Sequence, residues 1–127
     1  MLAKWDLDAG LMSCNAAGVE DDARVMELRG QIHLLAGRWS GAVKESGRVW
    51  GWIVGNEVNS HWFWANMGRV TMEQFADDYL RTARLASAAL KKISSSARLY
   101  LSLEHHWNIR YPGGDVHQTF PGHAFLD

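Results

Sequence analysis

Residues 49–54 read VWGWIV, an apolar run without a polar face, and this run decides the predicted fold. Glycines flank it at positions 47 and 55, and the residues between them are mostly aromatic or β-branched. Such a run is typical of a strand buried on both faces, as strands of parallel sheets are. We therefore predict a buried strand over residues 49–54.

Helical patterns lie on both sides of this strand. Upstream, apolar residues at helical spacing predict a helix that begins at Asp21 or Asp22 and ends at Gly37, since glycine suits the left-handed residue after a helix. Downstream, Thr71 and Gln74 match a capping box, which predicts a long helix up to about residue 93.

The remaining segments complete an alternation of strands and helices. Apolar and other residues alternate over 98–103, which predicts a second strand. Residues 7–14 are predicted to be the end of an earlier strand, and residues 104–127 to be irregular. Alternation of this kind predicts an α/β fold with a parallel sheet. The loops rich in Trp, His, Asn and Glu follow the strands, where such sheets carry their functional residues.

Composition excludes several classes of function. The 127 residues hold 13 Lys and Arg against 14 Asp and Glu, so the net charge of −1 argues against a nucleic-acid partner. No apolar run is long enough to span a bilayer, which argues against a membrane partner. The single cysteine, Cys14, excludes an internal disulfide and a Cys-rich zinc site. No export signal is visible, and the compartment stays open.

The first candidate site lies directly after the apolar strand, at Asn56 and Glu57. A carboxyl group at a strand end suits a general acid, and a neighbouring amide can orient a substrate hydroxyl. The structural alternative is an ion pair between Glu57 and Arg69 or Arg110.

At this point the sequence resembles a known group of enzymes. The segment from 49 to 59 looks like the fourth strand of the retaining glycoside hydrolases built on (β/α)8 barrels, a strand that ends in Asn-Glu. The longer pattern resembles more closely one uncharacterised bacterial family assigned to that superfamily. Its matching segments are GRV (47–49), GNEVNSHW (55–62), NMG (66–68) and SLEHHWN (102–108).

The resemblance implies that Glu57 is the acid/base and that Asn56 bonds the sugar hydroxyl next to the reacting carbon. It also implies a nucleophile at the end of a seventh strand. A complete barrel takes about 250 residues. We therefore expect residues 1–127 to form a single partial barrel domain, roughly strands 3 to 5, that lacks the nucleophile and is inactive alone.

The second candidate carboxyl is Glu104, at the end of the second strand. Retaining glycosidases place two carboxyl groups roughly 5–5.5 Å apart, and inverting ones roughly 6.5–9.5 Å. Glu104 is therefore a candidate second catalytic group, although a role for Glu104 or His105 in substrate binding or in tuning a pKa is favoured. An ordinary ion pair is the structural alternative.

Aromatic and polar side chains in the same loops are candidates for sugar binding. Flat tryptophan rings can stack on sugar rings, and the alternative is aromatic packing that holds a loop in place. The candidate substrate-binding residues are Asn56, Asn59, His61, Trp62, Trp64, His105, Trp107 and Asn108.

Histidines provide a third hypothesis, a metal-dependent hydrolase. The set is His105, His106, His117 and His123, with Asp115 among them. Its spacing matches no metal motif, and adjacent His105 and His106 point to opposite faces if the chain is extended. We therefore predict neither a metal nor a cofactor.

The sequence supports three hypotheses about function. The favoured one is hydrolysis of O-glycosyl bonds with retention in an intact parent, for which this chain supplies the acid/base. A non-catalytic carbohydrate-binding barrel fragment is the alternative, and the metal hydrolase comes third. Carbohydrate is the expected partner. Self-association is expected as well, because a sheet of about three strands leaves unpaired edges.

Overall fold

A computed structural model describes residues 22–42, 48–64 and 67–127. The predicted strand over residues 7–14, Asp21 and Cys14 lie outside the described residues. No helix in the described segments combines the length and the apolar character that crossing a membrane requires.

The described elements alternate between helix and strand. In chain order they are α1 (Asp22–Ser40), β1 (Gly51–Ile53), a 3₁₀ turn (Val58–Ser60), α2 (His61–Trp64), α3 (Met72–Ile93), β2 (Arg98–Tyr100) and α4 (Gly122–Leu126). The strands β1 and β2 pair in parallel, and Trp52 lies opposite Leu99. This is the mixed helix and parallel-sheet arrangement that the alternation predicts. The partial barrel remains a prediction.

The long helix α3 begins as its capping box predicts. The Thr71 hydroxyl accepts a hydrogen bond from the Gln74 backbone N–H, and the Gln74 side chain accepts one from the Thr71 N–H. One face of α3 is buried, packs against α1 and β2, and supplies five of the eleven buried core residues in the described segments. Its buried apolar residues are Phe75, Tyr79, Ala86, Ala89 and Leu90.

A single buried hydroxyl ties α3 to the end of β1. The Tyr79 hydroxyl donates to the Val54 carbonyl at 2.7 Å, and burial raises the pKa of Tyr79 to about 12. The backbone leaves β1 at Val54, so this bond holds the start of the following loop against α3.

The prediction that α1 ends at Gly37 is wrong, because the helix continues to Ser40. Contacts with the β1 segment hold the last turn: the Ser40 hydroxyl donates to the Val49 carbonyl and accepts from the Trp52 indole N–H. The Val49 N–H donates to the Trp39 carbonyl at 2.6 Å. Tertiary contacts therefore determine the helix end and override the local preference of the glycine.

Both strands are shorter than predicted, and β1 is not buried on both faces. Trp52 and Leu99 pack against the core, whereas the cross-strand neighbours Ile53 and Tyr100 are 65% and 43% exposed. Within the described residues, helices cover only one face of the sheet, so the other face keeps its apolar side chains in solvent. Self-association through this sheet stays a prediction.

The C-terminal segment is irregular up to α4, a short helix that the sequence did not predict. The Phe125 ring in α4 lies 5.9 Å from the Phe75 ring and 6.1 Å from the Tyr79 ring. These aromatic contacts pack α4 against α3. Tyr79, on the same face of α3, also bonds the Val54 carbonyl at the end of β1.

Candidate functional site

The loops that follow β1 and β2 lie side by side at the carboxyl-terminal edge of the sheet. The Val58 N–H donates to the Ser102 carbonyl at 2.9 Å, beyond the last paired residues of the two strands. Parallel strands present their carboxyl ends at the same edge, so both candidate glutamates lie in these two adjacent loops.

Glu57 is held in an unusual backbone conformation. Its φ of 44° and ψ of 51° lie in the left-handed region, and no other non-glycine residue among the described ones has a positive φ. The Glu57 N–H donates to the Ser102 hydroxyl at 3.4 Å, and its carboxylate accepts the Trp64 indole N–H at 3.1 Å. Asn56, beside it, is exposed.

Arg69, which the sequence suggested as an ion-pair partner of Glu57, pairs with a different carboxylate. Arg69 pairs with Asp115, which also accepts the His117 backbone N–H at 2.9 Å. That backbone hydrogen bond, with the Arg69 guanidinium, lowers the pKa of the Asp115 carboxyl. The contact partner of the Glu57 carboxylate is therefore an indole N–H.

Asn59 is fully buried and joins three segments. Its amide nitrogen donates to the Phe120 carbonyl at 2.9 Å, and its amide oxygen accepts the Glu104 N–H at 2.7 Å. The Asn59 carbonyl accepts the Phe120 N–H at 2.7 Å. Asn59 thus aligns the two loops, and its side-chain polar atoms are committed to the backbone.

His61 is also fully buried and lies between aromatic rings. Its ring stacks on Phe75 and Phe120 at 4.5 and 5.4 Å between centroids. Its Nε2 donates to the His117 carbonyl at 2.6 Å, and its Nδ1 has no hydrogen-bond partner among the described residues. Burial lowers the pKa of His61 and so favours the neutral ring, which supports the loop from within.

Glu104 is buried in the loop after β2, and both of its oxygens have donors. Oε2 accepts the His106 backbone N–H at 2.9 Å, while Oε1 lies 2.5 Å from His106 Nδ1 and 2.7 Å from His105 Nδ1. Burial raises the pKa of Glu104, but the hydrogen bonds from His106 and the charges of both imidazoles outweigh it, and the net pKa is lowered.

The chain is not extended at His105 and His106, so the condition under which their side chains point to opposite faces is not met. The chain bends at His105, and the two rings lie 4.2 Å apart with both Nδ1 atoms on the same carboxylate oxygen. The other histidines of the proposed cluster lie apart from it: His117 Nδ1 lies 2.8 Å from the Val70 carbonyl, and His123 lies 3.1 Å from Asp127.

The comparison with known families places the chain in one of them. Residues 2–127 match a family of unknown function, DUF5722. The chain belongs to this family. No curated protein and no solved structure matches it.

In this DUF5722 chain the aromatic candidates divide between the two loops. Trp64 is 46% exposed beside Glu57, whereas Trp62 is half-buried. Trp107 packs over Gly122 and edge-on to the His123 ring at 5.8 Å, so it contacts α4. Asn108 is exposed next to it.

Sequence reasoning missed two residues that shape this edge of the sheet. Ser102 holds Glu57 through its hydroxyl, and Tyr111 lies edge-on to His106 at 5.3 Å and to Phe63 at 6.5 Å. Ser102 lies within the predicted strand 98–103, two residues beyond the end of β2, so its position next to Glu104 could have attracted attention. Tyr111 carries no local signal, because its contacts come from residues distant in sequence or across a bend.

Proposed function

We propose that this chain carries the acid/base part of a glycoside hydrolase-like site, in which Glu57 acts on an O-glycosyl bond with retention. The observation that carries the proposal is the state of Glu57: a strained backbone at the end of β1 and a carboxylate oriented by the Trp64 indole. The resemblance to the fourth strand of barrel glycosidases supports the same role.

The strain at Glu57 is informative because it has a cost. A non-glycine residue in the left-handed region costs about 1–2 kcal/mol, and such residues cluster at functional sites. The neighbouring Gly55 also has a positive φ, of 79°, so the loop turns sharply directly after β1. A glycine at position 57 would make the same turn without strain, which supports a role for the carboxylate itself.

The exposed aromatic ring beside Glu57 suits a sugar. Trp64, which donates to the Glu57 carboxylate, is 46% exposed. The same edge of the sheet carries Phe63 and Tyr111, which lie edge-on to each other and are 57% and 50% exposed. Aromatic faces carry partial negative charge and attract the C–H bonds on the apolar face of a sugar ring. Exposed Asn56 supplies an amide for a sugar hydroxyl next to the reacting carbon, as the resemblance implies.

Glu104 is a poor candidate for the second catalytic carboxylate in this arrangement. Its oxygens already accept one backbone N–H and face two imidazole nitrogens. We propose that the nucleophile is supplied from a later strand of the intact barrel, and that Glu104 helps to shape the site. In this scheme β1 and β2 correspond to strands 4 and 5.

The experiment that tests the role of Glu57 is affinity labelling, which does not need the nucleophile. An N-bromoacetyl glycosylamine carries its reactive carbon where the leaving group of a glycoside lies. The Glu57 carboxylate would displace bromide and form an ester, which peptide mass spectrometry locates. A panel of gluco-, galacto- and xylo-configured reagents covers common sugars.

We expect labelling at Glu57 that the matching free sugar blocks and that Glu57→Gln abolishes. Bromoacetamide, which has the same reactive group and no sugar, is the control reagent. Equal labelling by bromoacetamide, or labelling that spares Glu57 with every sugar, would overturn the proposal.

The second candidate, a non-catalytic carbohydrate-binding segment, is favoured by the occupied carboxylate of Glu104. The two functions differ in turnover of aryl glycosides. Hydrolysis that Glu57→Gln abolishes supports the enzyme, with a loss of about 10²–10⁴-fold for a missing general acid/base. The binding segment is supported if Glu57→Gln leaves sugar binding intact and if a complete barrel that contains this chain hydrolyses no aryl glycoside.

A further inference from the structure

Three ligand atoms converge in the loop after β2. His106 Nδ1 and His105 Nδ1 lie 2.5 and 2.7 Å from Glu104 Oε1, and the three side chains bring one ligand atom each to within 4.8 Å of the others. We propose that these three atoms form a binding site for one divalent transition-metal ion of the zinc, nickel or copper type. The inference is independent of the glycosidase function.

The donor set determines the class of ion. Two imidazole nitrogens and one carboxylate oxygen are ligands that zinc, copper and nickel accept, whereas calcium and magnesium prefer oxygen alone. Three protein ligands with one further position for water is a common zinc arrangement. The His105 side chain is 81% exposed, so the fourth position opens to solvent.

The backbone geometry supports a built site more than a chance contact. In an extended chain, adjacent side chains point to opposite faces, yet a bend at His105 brings both imidazoles onto one carboxylate oxygen. Without an ion, each Nδ1 needs a proton to bond that oxygen. A divalent cation bonds the lone pair of each Nδ1 and the carboxylate oxygen at once, and each neutral imidazole then carries its one N–H on Nε2.

Surrounding hydrogen bonds hold the carboxylate in place. Glu104 Oε2 accepts the His106 N–H, and the Glu104 N–H donates to the buried Asn59 amide oxygen. Contacts of this kind orient metal ligands. The Tyr111 ring lies edge-on to His106 and restricts that imidazole as well.

The spacing of the three atoms requires one adjustment. Tetrahedral zinc with bonds near 2.0–2.1 Å separates its ligand atoms by about 3.3 Å. The two nitrogens lie 2.5 and 2.7 Å from the carboxylate oxygen, so each imidazole must move out by several tenths of an ångström. His105 can do so because its side chain is exposed, which makes it the best position to test.

The test is isothermal titration of the chelator-treated full chain, prepared without a polyhistidine tag, with ZnCl₂ and separately with NiCl₂. We expect one ion per chain, and His105→Ala should weaken its affinity by at least about tenfold. The matched control is His123→Ala, which removes another exposed imidazole next to a carboxylate, at 3.1 Å from Asp127. It should leave the affinity unchanged.

Imidazole ¹⁵N NMR gives a readout that does not depend on stability. Zinc should shift the Nδ1 resonances of His105 and His106 and leave those of His117 and His123 in place. The proposal is overturned if neither metal binds, if His105→Ala binds as tightly as the parent chain, or if zinc shifts only the other histidines.

Discussion

The loops after β1 and β2 both carry a glutamate, and the two glutamates differ in almost every physical respect. Glu57 is half-buried on a strained backbone, and its carboxylate accepts one indole N–H. Glu104 is buried, and its carboxylate faces a backbone N–H and two imidazoles. Two similar positions at one sheet edge thus hold different kinds of carboxylate.

This difference suits the two carboxylates to different roles, one in reaction with a ligand and one in holding the structure. A carboxylate with one fixed donor and a solvent-facing side can exchange a proton with a ligand. A carboxylate whose oxygens are already committed serves to hold its loop or to bind a cation. Asn59 connects the two loops, so the comparison can be tested by removing the connection, by exchanging each carboxylate, and by titrating the histidine that supports the first loop.

The largest effect is expected from Asn59→Ala. This change leaves the Phe120 carbonyl and the Glu104 N–H buried without partners, which should cost about 2–4 kcal/mol of unfolding free energy in total. Urea denaturation measures the loss. The exposed Asn108→Ala is the matched control, expected within about 0.5 kcal/mol of the parent. An Asn59→Ala variant as stable as this control would show that the loops are not joined through Asn59.

A smaller effect should distinguish the two glutamates directly. In the presence of a chelator, Glu104→Gln should cost about 1.5–3 kcal/mol, because hydrogen bonds to a charged group are lost. Glu57→Gln should change stability by less than about 0.5 kcal/mol, since the new amide oxygen still accepts the Trp64 indole. Equal costs in the same urea experiment would remove the distinction between the two carboxylates.

Acid should weaken the first loop through His61. Its lowered pKa means that the unfolded chain binds a proton that the folded chain does not. The stabilisation is therefore complete above pH 6.5 and is lost as the pH falls below 6.5 toward the lowered pKa. The slope from one proton is at most about 1.4 kcal/mol per pH unit.

Thermal unfolding between pH 5 and 8 measures this dependence. His61→Phe keeps an aromatic ring between Phe75 and Phe120 and cannot titrate, so its stability should change less with pH. His123→Ala, which removes an exposed histidine, should keep the parent's slope. Parallel curves for His61→Phe and the parent would assign the acid sensitivity to another group.

Among the changes expected to alter stability, Glu57→Gly should have the smallest effect, and its sign is the informative part. Glycine adopts a φ of 44° without strain, although it also increases the entropy of the unfolded chain. We expect a net stabilisation of about 0.5–1 kcal/mol, together with loss of affinity labelling. A destabilised Glu57→Gly variant would show that the carboxylate holds the fold.

Local signals predicted the elements better than their ends. The capping box at Thr71 places the start of α3 correctly, because its hydrogen bonds join residues only three positions apart. The end of α1 could not be predicted, because Ser40 bonds to Val49 and Trp52 on another segment. The burial of β1 was overestimated, because only one face of the sheet is covered within the described residues.

The same division applies to the site. Sequence position alone indicated Glu57 and Glu104, since both directly follow apolar strands. It could not show that Asn59 and His61 are buried, because their partners lie on the segment around residues 117–120. Nor could it show the convergence of His105 and His106, which depends on one bend in the backbone.

The sequence by itself determined the alternation of strands and helices, the start of α3 and the placement of chemical groups after each strand. Periodicity and capping act over a few residues, so these features can be read locally. Only the tertiary structure decided which glutamate stays accessible and which is buried. That outcome depends on hydrogen bonds between segments 45 or more residues apart, such as those of Asn59 with Glu104 and Phe120, and no local pattern specifies them.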